Sequence, residues 1–125
     1  MNELLRFHHD WAYASIAINL FAGILMLISL RFVDLKRKKY FFTPVYFGWL
    51  AISVQSLLGI SLYMSGEKVD PSKGFHYFYG FIAIMTAGII YSYSRTLGKK
   101  KILIYGISSL FLAGLGIRST LLVLL

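Results

Sequence analysis

WAYASIAINLFAGILMLISL, residues 11–30, runs twenty residues without a charged side chain and then meets RFVDLKRKK at 31–39. An α-helix needs about 20 apolar residues to cross a hydrocarbon layer of ~30 Å, so this stretch has the length of one membrane span. Three further apolar segments follow, Pro44–Tyr63, Phe75–Tyr93 and Ile102–Leu125. The chain has 125 residues, of which 58% are hydrophobic and 14% charged. Its mean hydropathy is +0.68, too apolar for a soluble globule. The length and flanks of the first segment suit a permanent span, and no small-residue cleavage site in a polar region accompanies it. The expected fold is therefore all-α: one integral-membrane domain over 1–125, an up-down four-helix bundle with helices at about 11–30, 44–63, 75–93 and 102–125. Short loops make consecutive helices antiparallel neighbours.

The formal net charge of +8 would suit nucleic acid if it were spread over one face, but its placement gives it another meaning. Arg31, Lys36, Arg37, Lys38 and Lys39 fill the first loop, and Arg95, Lys99, Lys100 and Lys101 fill the third. In the second loop Lys68 and Lys73 are balanced by Glu67 and Asp70. Basic residues gather on the cytoplasmic side of membrane proteins. Loops 31–40 and 95–101 are thus expected in the cytoplasm, and the N-terminus, second loop and C-terminus on the outer side. A multi-pass protein of a prokaryotic cell membrane is the expected setting, with the lipid bilayer as first partner and no nucleic acid. A membrane-protein partner or a second copy of the chain is the further expected partner.

Local signals agree with four helices. Pro44 stands at the start of the second, where proline is tolerated. VDPSKG, residues 69–74, reads as a turn, and Gly98 as the close of the third helix before its lysines. SIAINLFAGI (15–24) is similar to FIAIMTAGI (81–89), and LLGISL (57–62) to LGIRSTL (115–121), a weak internal repeat in which His9 and His76 hold similar places.

The polar residues then fall at one level. His8 and His9 lie at the outer end of the first helix and His76 at the outer end of the third. Arg118 lies 16 residues beyond Ile102, ~24 Å along a helix that rises 1.5 Å per residue. Ionisable groups in apolar spans are costly and usually functional. The first and third helices are diagonal and run the same way, so His9 and His76 are expected to point at each other across the bundle. His8 is expected to be the solvated neighbour, and is kept as a cofactor-contacting candidate. Small residues continue both stripes, Ala12 and Gly23 below His9, and Gly80, Ala83 and Ala87 below His76. They suit close helix packing or a slot for a flat macrocycle.

Two neutral imidazoles facing each other can fill both axial positions of a heme iron. The propionates would want a cation, and Arg118 can bind a carboxylate through two parallel hydrogen bonds. Gln55 is the candidate supporting donor. No cysteine is present, so a metal would rest on His9 and His76. Zinc would want a third or fourth ligand, for which Asp10 and Glu67 are the available carboxylates. Chlorophyll held by a single histidine remains open.

Three stretches carry a family resemblance: HDWAYASIAI (9–18), QSLLGISLYMSG (55–66) and FHYFYGF (75–81). Over about residues 6–95 the chain resembles one four-helix half of a heme A synthase-type membrane protein. The resemblance implies a heme between His9 and His76. The chain departs from that family in three ways. It has four helices where the family has eight, it lacks the family's outer cysteine pair, and it has Arg6 where the family carries a glutamate implicated in oxidising a heme methyl group. The expected function is accordingly a heme b-binding protein with two histidine ligands near the outer face, an electron carrier rather than an enzyme. An accessory subunit of a respiratory or photosynthetic membrane complex, binding lipid, pigment or quinone, is the alternative. A heme-modifying enzyme acting as a dimer is the third.

Overall fold

A computed structural model describes residues 3–66 and 73–124. Four long helices carry the chain: α1 (Glu3–Phe32), α3 (Phe42–Met64), α4 (Phe75–Ser92) and α5 (Lys101–Leu124), with a one-turn α2 (Leu35–Lys38) between the first two. No strand occurs among the described residues. All four long helices are long and apolar enough to cross a membrane.

The ends of the helices follow local chemistry. α1 starts eight residues before its expected position, so both His8 and His9 are helical. The apolar run marks where a span begins, but ELLRFHHD continues the helix outward, with Glu3 in the first turn, where a carboxylate suits the positive end of the helix dipole. Asp34 caps α2 by accepting a hydrogen bond from the Arg37 backbone N–H at 3.0 Å, the usual use of aspartate at this position. α3 begins two residues before Pro44, which falls in the first turn, where its missing N–H costs no intrahelical bond. At its far end Gly66 takes φ 97°, a left-handed conformation that closes helices at little steric cost to glycine. Gly98 does not close α4. That helix stops at Ser92, and Gly98, at φ 55°, opens the short turn of 3₁₀ helix that leads into α5. The turn expected at 69–74 lies outside the described residues, apart from Lys73 and Gly74.

Contacts between helices give an up-down arrangement. α1 packs against α3 and α5, α4 packs against α5 and α3, and α1 and α4 are diagonal. On the α1–α3 seam Asn19 Nδ2 donates to Gly48 O at 2.9 Å, and nearer the helix start Trp11 Nε1 donates to Ala51 O at 2.8 Å. One residue number rises as the other falls, which makes the pair antiparallel. The α1–α5 seam is also close. A Cβ built on Gly23 would lie 2.9 Å from the Gly106 carbonyl oxygen, and one on Gly116 would lie 2.8 Å from Ile16. Small residues let helix backbones approach in this way, so that packing supplies what lipid solvent cannot.

The core is narrow and partly polar. Ala22, Met26, Val45, Tyr105 and Leu112 are fully buried, and Ser15, Asn19, Ser29 and Ser109 are buried with them. Asn19 spans two helices, donating also to Ser15 O at 2.8 Å. Large apolar residues instead face outward, among them Phe21 at 60%, Phe47 at 61% and Phe81 at 61% exposure. In water such a surface would be an aggregation site; against lipid it is the matching solvent.

Candidate functional site

His8 and His9 are neighbours in sequence and lie about 100° apart around α1, as consecutive residues of a helix must. The structure turns His8 inward and His9 outward, the reverse of the expected assignment. The reason lies in the polar residues of the same span. Ser15 and Asn19 are buried on one face with Ala22 and Met26, and two turns before Ser15 that face carries His8. His9 is exposed; its Nδ1 lies 3.3 Å from Asp10 Oδ1 and its ring edge packs on Tyr13.

His8 meets His76 across the diagonal. The ring centroids are 6.2 Å apart and the planes stand at 89°. His8 is held from α3. Gln55 Nε2 donates to the His8 carbonyl oxygen at 2.8 Å. One turn on, Gly59 leaves the space that the imidazole uses, since a Cβ there would lie 3.3 Å from His8 Cε1. Two buried polar atoms in this cluster, His8 Nδ1 and Gln55 Oε1, have no hydrogen-bond partner.

His76 is held from α5. Its Nδ1 lies 2.7 Å from Ser119 Oγ and 3.1 Å from the Ser119 carbonyl oxygen. A carbonyl oxygen only accepts, so this bond assigns the proton to Nδ1 and leaves the lone pair on Nε2. That is the usual arrangement of a metal-ligating histidine, whose second nitrogen donates to a carbonyl or carboxylate. The Ser119 hydroxyl also donates to the His76 carbonyl oxygen at 3.3 Å. Nearby, Ser56 Oγ donates to Gly80 O at 3.2 Å, joining α3 to α4 at the same end of the bundle.

The expected site residues therefore gather only in part. His8, His76 and Gln55 come together. His9 lies outside the cluster. Arg118 is at the level of the pair, one residue before Ser119, but its side chain is exposed. Ser119, Gly59 and Ser56 complete the cluster and were not anticipated. A serine in a helix is a weak signal by itself; only its register against His76 makes it informative.

Among the described residues no group of three or more His, Cys, Asp or Glu side chains is placed to hold a metal ion. The carboxylate proposed for a zinc site at Glu67 lies outside the described residues. Two histidines alone would serve only a metal that brings its own equatorial ligands. Imidazole nitrogens bind metals at about 2 Å, so two rings on opposite sides of one ion have centroids about 6 Å apart. No family model matches the chain, and no curated protein and no solved structure matches it either.

Proposed function

We propose that the chain is a multi-pass membrane protein that holds one heme b between His8 and His76 near the outer face and passes electrons to or from a membrane partner. The observation that carries this reading is the diagonal imidazole pair at 6.2 Å, with His76 already oriented through Nδ1 by Ser119. The similarity of the motifs around residues 9–18, 55–66 and 75–81 to half of a heme A synthase-type protein supports the same cofactor. The N- and C-termini lie outside in this reading, and the basic loops 31–40 and 95–101 inside.

Heme supplies one-electron chemistry when bound, and the chain's own residues decide which chemistry is open to it. If His8 and His76 both hold the heme, they would leave no open position for oxygen or substrate, which would favour electron transfer over oxygen activation. Ser119 fixes the tautomer and the plane of the His76 ring. Arg118, exposed at that level, is the cation we assign to the propionate carboxylates. Gln55 ties α3 to the His8 turn of α1, so the two sides of the pair stay in register.

Purified full-length protein expressed with sufficient heme should carry one heme per chain and give a reduced-minus-oxidised spectrum. A colourless protein that co-purifies stoichiometrically with other membrane subunits would support the accessory-subunit reading, which the outward aromatic surface also favours. Replacing Ser119 with alanine tests the supporting role. Loss of an outer hydrogen bond to a ligating histidine typically costs 10–100-fold in affinity, so S119A should bind heme about that much more weakly and shift the midpoint potential while the bundle stays folded. Unchanged heme affinity and potential in S119A would remove Ser119 from the site.

A further inference from the structure

The end of the bundle opposite the histidines carries a recess of about 470 Å³ that the heme reading does not use. Leu30 near the end of α1, Lys38 of α2, Phe42 at the start of α3, Gly98 and Lys99 of the 3₁₀ turn, and Lys101 and Ile102 at the start of α5 line it. Lys101 is held at the recess by aromatic faces, its Nζ lying 4.8 Å from the Phe42 ring centroid and 5.3 Å from that of Tyr105. Lys101 and Lys38 are half-buried. Among the described residues the ion pair joins His9 and Asp10, at the far end of α1, and none of the three lysines makes one.

We propose that this recess binds the headgroup of an anionic phospholipid, its phosphate between Lys38, Lys99 and Lys101 and its acyl chains along Leu30 and Ile102. Three lysines among the lining residues suit an anion. The apolar wall continues onto the outward surface of the helices, where Ile28 and Leu103 are exposed. A soluble phosphate would use only the first wall; a phospholipid uses both. Basic pockets between spans on the cytoplasmic side are suited to anionic headgroups. The proposal rests on the helices crossing a membrane and is independent of heme at the other end.

The test uses the full chain in detergent, titrated with dioleoyl phosphatidylglycerol or dioleoyl phosphatidylcholine and read by native mass spectrometry. Phosphatidylglycerol should be retained in preference to phosphatidylcholine. K38Q/K99Q/K101Q should weaken its binding at least about tenfold, given the attraction each basic residue contributes near an anionic headgroup. K38R/K99R/K101R should restore it, and K36Q/R37Q, which changes charge outside the recess, should leave it unchanged. Thermal unfolding of each variant confirms the fold. Equal retention of the two lipids, or equal loss in K36Q/R37Q, would reduce the effect to diffuse attraction and overturn the proposal. Full displacement of the lipid by millimolar inorganic phosphate would make this a free-anion site and overturn it as well.

Discussion

Replacing His76 with alanine is expected to abolish heme binding, and replacing His8 to do the same, whereas His9→Ala should keep the heme and its spectrum. The three outcomes follow from where the side chains stand. His76 is one of two imidazoles that face each other across the bundle, and its ring is oriented by Ser119. His8 is its counterpart on α1, with Gly59 leaving room for the ring. His9 points away, against Asp10 and Tyr13. With either histidine replaced, the remaining ring alone would not hold the heme, and the purified protein should lose its Soret band. The discriminating variant is His9→Ala. Heme loss in H9A with retention in H8A would place the ligand on the other face of α1 and reject the pairing described here.

The second large effect concerns the α1–α5 seam. Gly23→Leu should destabilise the bundle by several kcal/mol, because overpacking by even a few methylenes costs typically 1–3 kcal/mol and here the first added carbon already meets backbone. A Cβ at Gly23 would lie 2.9 Å from the Gly106 carbonyl oxygen and 2.8 Å from Leu110. A flexible side chain such as Leu110 can move aside, but the Gly106 backbone moves only if the two helices part. Gly88 on α4 provides the comparison, since no atom lies within 4 Å of a Cβ there. Gly88→Ala should therefore be neutral or stabilising by up to about 1 kcal/mol through helix propensity. Thermal unfolding in one detergent checks both. A Gly23→Leu protein that melts with the parent would show that the seam is looser than the structure has it.

The four long helices were legible in the sequence because each is an apolar run long enough to cross a membrane, and the up-down order follows from short loops. The outer extension of α1 was less legible. Residues 3–10 are polar enough to interrupt an apolar run, yet nothing in them breaks a helix. The choice between His8 and His9 turned on the same difficulty in sharper form. One residue is about 100° around a helix, so a stripe drawn through Ala12, Ile16 and Gly23 selects one face and a stripe through Ser15, Asn19 and Ala22 another. The second is the buried face that carries His8, and the signal was present: Ser15 and Asn19 are polar residues in an apolar helix, and such residues turn inward to find partners. Asn19 does so at Gly48. The internal repeat pulled the other way, because matching SIAINLFAGI to FIAIMTAGI aligns His76 within a residue of His9, too coarse for a question decided by one residue. Ser119 could not be read as part of the site without the register between α4 and α5. Arg118 drew attention by its charge, and the residue beside it makes the contact.

The most direct test of the central claim is electron paramagnetic resonance of the oxidised, purified protein. The His8 and His76 ring planes stand at 89° to one another; were they to hold a heme in that orientation, the oxidised protein would give a low-spin ferric signal with the strong anisotropy of perpendicular ligand planes, absent from the His8→Ala and His76→Ala variants. A high-spin ferric signal, or protein without heme iron after expression with sufficient heme, would contradict it.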